Sequence, residues 1–341
     1  MHVLIVGGDK IFSIENYDCK HLTEFGIRVS RFLAPNLFYE YYEKSIINKF
    51  FFKSGLSNVY NSINKDFKHA VESLNPDIIW IFKGMELYAE TLVWVKSKNI
   101  KIVNYNPDNP FLFAGKGSGN SNITRSIGLY DLHFTYNLEI EKRIKSDFKT
   151  VKTSYLPFGF ELDNEVVNQC AILPEIGDLC FLGNPDLNRS EFVKNLLKAG
   201  VKISVYGHDW SKYLTSNSYL SINEAVYGID QWKVLRKYRI QLNLLRPHNL
   251  NSHNMRTFEI PGVGGIMLAP RTIEHEMFFE NATQVFLYSS VNECVSLVKQ
   301  ILSLPLPEAL NIRTSARERS IKSGYTYKDR ASQVLQQFEV L

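Results

Sequence analysis

Apolar residues along the chain fall into short unbroken runs, separated by longer stretches whose apolar positions recur at helical spacing. Val3 to Val6 is such a run, closed by Gly7 and Gly8, as a strand buried on both faces would be. Further strands are predicted over 77–82 (DIIWIF), 100–105, 132–136 and 153–156, with helical stretches over 59–74 and 88–98 among them. Residues 158–177 show little periodicity and read as an interdomain connection. The alternation then restarts with strand 178–182, helix 190–199 closed by Gly200, and strand 202–206 ending at Gly207. Helix 230–238 leads to strand 241–245, and a helix starting near Asn254 is stopped by the glycines of 262–265 before strand 266–269. Ser290 and Glu293 form a capping box that opens a helix to about Leu304. Pro305 and Pro307 break the chain, and helices over 308–322 and 326–338 follow. Strands alternating with helices imply βαβ units and parallel sheets, so the fold class is α/β with two doubly wound, Rossmann-like halves.

A chain of 341 residues is too long for one ordinary core, which agrees with two halves. With 45% hydrophobic and 22% charged residues it is neither disordered nor a fibrous repeat. The net charge of +4 suits a phosphorylated small ligand or contact with an anionic surface, and no concentrated basic stripe marks a nucleic-acid partner. Four scattered cysteines form no C-x-x-C pair, which excludes a zinc framework and points to a reducing compartment. No signal-peptide pattern opens the chain, and no run approaches the roughly 18 apolar residues that span a bilayer, so a cytoplasmic protein is expected. Neither half carries G-x-G-x-x-G after its first strand, which argues against a simple dehydrogenase.

The chemistry concentrates in NMRTFEIPGVGGIMLA, residues 254–269. Arg256 and Glu259 are three residues apart at the start of a short helix and share a face. A guanidinium beside free helix N–H groups suits a diphosphate, and a carboxylate one turn on can accept from the two vicinal hydroxyls of a ribose. The competing explanation is a surface ion pair; the position at a strand end in an α/β half favours function. FLGNPDLNR (181–189) offers a second strand-end turn, ending its strand at Gly183, with backbone N–H groups and Arg189 toward a phosphate; taken alone it reads more simply as a plain βα turn with an N-cap. YGHDW (206–210) supplies a third, with Gly207 and His208.

These stretches, with QLNLL (241–245) and SGYTYKDR (323–330), resemble the C-terminal half of CgeB-like, spore-maturation-type glycosyltransferases of the GT-B group; NYNPDNP, YDLHFTYN and YLPFGFE extend the likeness upstream. The resemblance implies two Rossmann-like domains facing each other across a cleft. Residues 1–160 would bind the acceptor and 161–325 a nucleotide-diphosphate sugar, with the last helix, about 326–341, packing back on the first domain. It assigns Gly183, Asn184, Arg189, Gly207, His208, Arg246, Asn254, Arg256, Thr257 and Glu259 to the donor. The co-substrate is a nucleotide sugar, and the chain lacks a D-x-D motif, so no metal or other cofactor is expected. The implied reaction moves the sugar to a hydroxyl of a glycan, lipid-linked or protein acceptor; the alternatives are a non-catalytic nucleotide-sugar-binding or assembly protein and a sugar epimerase of the same shape.

Where many retaining GT-B enzymes carry a first glutamate, this chain has Asn251, so stereochemistry does not carry over. Asp108, at the end of strand 100–105, is the candidate base for an inverting reaction, against a turn-capping role. GKGSGNSN (115–122) reads as a loop near the crevice, and His133 as a core histidine. In 38–53 aromatics and lysines interleave; core or acceptor groove is the favoured reading, with peripheral membrane contact as the alternative.

Overall fold

The computed structural model describes residues 1–113, 118–249 and 251–341. The chain divides into two compact units: Met1–Pro157 together with Tyr327–Leu341, and Phe158–Thr326. Residues 115–117 of the glycine-rich stretch lie outside the described residues.

Unit 1 is built on a parallel sheet of β1 (His2–Val6), β2 (Arg28–Phe32), β3 (Ile78–Phe82), β4 (Lys101–Asn106), β5 (Leu132–Thr135) and β6 (Lys152–Tyr155), ordered β2-β1-β3-β4-β5-β6. β1 and β3 are buried at every position because helices cover both faces, which is why their sequences are unbroken apolar runs. Helix Tyr327–Glu339 belongs to this unit: Tyr327 stacks on Tyr17 at 4.8 Å, and Phe338 meets Trp80 edge-on at 5.5 Å.

Unit 2 repeats the plan with β7 (Gly177–Leu182), β8 (Ile203–Tyr206), β9 (Leu220–Asn223), β10 (Tyr238–Leu242), β11 (Met267–Pro270) and β12 (Phe286–Tyr288) in the order β12-β11-β10-β7-β8-β9. Leu179, Phe181, Ile240, Leu242 and Leu268 put its core on the central strands.

In each unit the chain starts in the sheet, builds toward one edge, then returns to pair on the other side of its first strand. The reversal falls between β1 and β3 in unit 1 and between β7 and β10 in unit 2. At such a point the loops leaving the two strands part in opposite directions and open a crevice at the strands' carboxyl ends.

Two expectations need correction. The stretch 158–177 is not a bare connection: helix Asn164–Ala171 lies within it, with Cys170 buried and the carbonyl of Ala171 accepting from Arg236 Nη2 at 3.3 Å. The strand expected over 241–245 lies at Tyr238–Leu242, whereas the helix expected from near Asn254 to the glycines of 262–265 is found at Arg256–Gly262.

Candidate functional site

At the unit 2 reversal, the Arg189 side chain ties the two diverging loops together. Its Nη1 donates to the carbonyl of Asn184, after β7, at 3.0 Å, and its Nη2 to that of Leu244, after β10, at 2.7 Å. The residue is 8% exposed; burial pulls the guanidinium down to about 10, Asp186 opposes the shift, and Arg246 and Arg256 reinforce it. Arg189 is thus a charged brace under the crevice, with Arg246 and Arg256 close enough to feel it.

Arg256 lies at the same strand end, its Nε reaching the Leu182 carbonyl at 3.4 Å and its Nη2 the Gln231 Oε1 at 3.4 Å. Its Nη1 pairs with the Glu259 carboxylate, which is almost buried, while the arginine is 22% exposed. The two residues are therefore bonded to each other, as an ion pair at the sheet's carboxyl edge. Arg246 is exposed and makes no hydrogen bond or ion pair with its side chain among the described residues. One feature departs from the expectation of free helix N–H groups. The amides of Thr257, Phe258 and Glu259 are already bonded to the carbonyls of Asn254, Met255 and Met255, so these three donors are not free.

A buried polar network fixes this helix. His275 Nδ1 meets the Pro270 carbonyl at 2.7 Å, so Nδ1 carries the proton and Nε2 accepts from the Thr257 hydroxyl at 2.9 Å. Thr257 Oγ1 in turn accepts from Asn243 Nδ2 at 3.2 Å, and Asn243 Oδ1 from Asn254 Nδ2 at 2.8 Å. Thr257 is fully buried, so it positions Arg256 and Glu259 from beneath. Burial, the largest influence, drives His275 down to about 4 and keeps it neutral.

The loops after β7 and β8 are locked as one surface. Asn184 Oδ1 accepts from the His208 amide at 2.9 Å, and Trp210 Nε1 donates to the Gly183 carbonyl at 2.9 Å. A Cβ on Gly207 would stand 2.4 Å from the Gly183 oxygen, so glycine is required there by close approach. His208 Nε2 contacts the Tyr227 hydroxyl at 2.9 Å at the exposed rim. Gly183, Asn184, Arg189, Gly207, His208, Arg256 and Glu259 are thus linked through these contacts, with Asn254 and Thr257 below.

Unit 1 carries a pocket of about 920 Å³ at its own reversal point. Gly8, Asp9 and Lys10 line it from the end of β1, and Phe82, Lys83, Met85 and Glu86 from the end of β3. Phe38, Tyr42, Phe52 and Tyr60 form an aromatic wall, with Phe38–Phe52 centroids 4.8 Å apart and Phe52–Tyr60 5.6 Å. The stretch 38–53 therefore divides. It forms helices Ala34–Lys44 and Ile46–Lys53; Phe38, Tyr42 and Phe52 face the pocket, while Ile46, Ile47 and Phe50 are exposed. Asp108 pairs with Lys83 Nζ at 2.5 Å, so its carboxylate serves as a counter-ion in the resting structure.

Sequence reading missed Glu86. It is 7% exposed, and burial raises its carboxyl to about 7, against smaller lowering effects from its own amide and from Lys83. No periodicity announces a single buried acid in a strand-end loop; the only cue was K-G-M-E directly after DIIWIF.

Residues 189–336, which take in Arg189, Arg246, Arg256 and Glu259, match the family model described as glycosyl transferase-like. Solved structures share the fold of both units. The fold is GT-B. An E. coli trehalose-6-phosphate synthase bound with UDP-2-fluoro glucose is 12% identical, with a TM-score of 0.68 over 100% of this chain and 99% of that one. Sucrose-phosphate synthase from Thermosynechococcus elongatus is 10% identical, with a TM-score of 0.65 over 99% and 98%. UDP-GlcNAc 2-epimerase from Neisseria meningitidis bound to UDP-GlcNAc is 12% identical, with a TM-score of 0.56 over 100% of both. No curated protein sequence matches the chain. Across the GT-B fold of this chain, no helix among the described residues is long and apolar enough to cross a membrane. Nor do those residues include a group of three or more His, Cys, Asp or Glu side chains that could hold a metal ion.

Proposed function

We propose that the protein is a glycosyltransferase that takes a sugar from a nucleotide-diphosphate donor held at the β7/β10 reversal of unit 2. The observation that carries this reading is the convergence of Arg189, Arg246 and Arg256 with Glu259 at the carboxyl edge of that sheet. Guanidinium groups attract and neutralise the diphosphate, and they stabilise it as the leaving group when the glycosidic bond breaks. Glu259 is placed to accept from ribose hydroxyls when Arg256 turns toward phosphate. The glycosyl transferase-like match spans these residues, and neighbours of the same fold bind UDP or a UDP-sugar. The motifs quoted from 178 to 330 support the finer assignment to the CgeB-like group.

In this reading unit 1 holds the acceptor, a hydroxyl of a glycan, lipid-linked or protein partner, and arginines replace a metal ion in charge stabilisation. Four free cysteines suit a cytoplasmic enzyme of polysaccharide or glycoconjugate assembly. Titration calorimetry with UDP, GDP, ADP and TDP, in the presence of EDTA, tests it: one should bind saturably, and Arg256→Ala should weaken that binding at least tenfold. Release of labelled nucleoside diphosphate only when acceptor is present separates a transferase from a binding protein, and from an epimerase, which converts donor alone.

A further inference from the structure

The unit 1 pocket has a composition that discriminates among acceptors. Asp9, Glu15, Glu43 and Glu86 line it against Lys10, Lys53 and Lys83, and Lys83 is already paired with Asp108. The lining thus carries no net positive charge to hold a phosphate or another anion. Four acidic side chains also make it a poor berth for an acyl chain. What remains is an aromatic wall facing hydrogen-bonding side chains, Asn36 and Asn120 beside the carboxylates. Apolar ring faces opposite convergent polar groups fit a molecule with C–H faces and equatorial hydroxyls.

The Glu86 loop is built to hold its position. Lys83 has φ 57° and Gly84 φ 93°, two left-handed residues in succession that turn the chain sharply after β3. Asn64 Nδ2 then holds the Glu86 carbonyl at 2.8 Å, and Asn120 and Asn122 hold the Met85 carbonyl at 2.9 and 2.7 Å. These bonds use backbone atoms and leave the Glu86 carboxyl to the pocket, with its own amide as its hydrogen-bond donor.

Resting on the glycosyl transfer argued above, we infer that this pocket takes a neutral saccharide as acceptor and that Glu86 is the base that deprotonates its attacking hydroxyl. The hydroxyl proton passes to Glu86 Oε as the oxygen's lone pair bonds to the anomeric carbon of the donor sugar. The bond from that carbon to the diphosphate oxygen breaks, and its electron pair leaves with the nucleoside diphosphate. A carboxyl near neutrality suits the role, since enough of it is ionised at working pH and it still holds a proton well. The charged and titratable groups around it are Lys83 on its own loop, Tyr60 on the neighbouring helix, Asp9, Lys10 and Glu15 after β1, Glu43 and Lys53 on the aromatic helices, and Asp108 behind Lys83.

The full chain is assayed for nucleoside diphosphate release from UDP-glucose, UDP-GlcNAc, GDP-mannose and TDP-rhamnose. Each donor is paired with neutral mono- and disaccharides, with sugar phosphates or with a lipid-linked sugar. Release should be stimulated by a neutral saccharide and should rise through about pH 7. Glu86→Gln should lose about 10²- to 10⁴-fold. Asp108→Asn should retain transfer with its acid limb moved to lower pH, because Lys83 then faces Glu86 alone. Stimulation confined to phosphorylated or lipid-linked acceptors, or an unchanged rate in Glu86→Gln, overturns the inference, as does a loss confined to Asp108→Asn. In parallel, saturation-transfer NMR with the same saccharides reports on the pocket whether or not a donor is turned over. A signal lost in Phe52→Ala supports the site, and no signal counts against it even if nucleotide binds unit 2; nucleotide failure alone strikes the transferase reading instead.

Discussion

Arg256 and Glu259 are joined to each other across one turn of helix, with the carboxylate almost buried and the guanidinium 22% exposed. Each is the other's main charge partner, so a diphosphate and a ribose that engage both must first exchange this pair. The binding effects of the two side chains should therefore not add. In a double-mutant cycle on nucleoside diphosphate affinity, each single alanine should cost about 1.5–3 kcal/mol, and the double variant clearly less than their sum. Arg256→Ala should also lower the melting temperature more than Glu259→Gln does, because it strands a buried carboxylate. Additive losses would show that the two side chains act on the nucleotide independently of their pairing.

Glu86 should trade stability for ionisation. Its folded carboxyl sits at about 7 against an ordinary 4.5, so the folded state holds a proton that the unfolded chain releases between those values. Stability is then lost as pH rises from about 4.5 to 7. Glu86→Gln should stabilise the protein by about 1–3 kcal/mol at pH 8 and by nearly nothing at pH 4. Thermal melts of the two proteins at both values check this.

His275 works in the opposite direction. Its folded value of about 4 lies below the ordinary 6.5, so its contribution is present above 6.5 and is lost as pH falls toward 4. At pH 5 the loss amounts to about 2 kcal/mol. His275→Gln keeps a partner for the Thr257 hydroxyl and should shrink the difference in unfolding free energy between pH 7.5 and 5 by about that amount.

Gly207→Ala places a methyl group against the Gly183 carbonyl and must push apart the loops after β7 and β8. A cost of about 2–4 kcal/mol is expected from denaturant unfolding. Nucleotide affinity should fall as well, since Asn184 and His208 share that surface. Gly200→Ala, at a helix end with nothing within 4 Å but φ at 77°, is the comparison, and should destabilise without touching affinity.

Strands buried on both faces, such as β1 and β3, could be read from sequence because such burial demands unbroken apolar runs, and the edge strand β6 was read as well although none of its residues is buried. The three that could not, β2, β9 and β12, all lie at sheet edges. β2 is RVSRF, with both arginines exposed, and β12 has only three residues. The donor-side residues stood out because glycine, arginine and glutamate at strand ends have a recognisable spacing. What sequence could not supply was partnership. Arg189 turns inward to brace two carbonyls, Thr257 is spent on His275, and Asp108 on Lys83. Those bonds depend on side chains far apart in the chain.

The account stands most directly on calorimetric titration of the full-length chain with UDP, GDP, ADP and TDP. It predicts saturable binding of at least one nucleotide with no added metal, and a loss of at least tenfold in Arg256→Ala while that variant still melts cooperatively. Absence of heat with all four, or an affinity indifferent to Arg256, would contradict it.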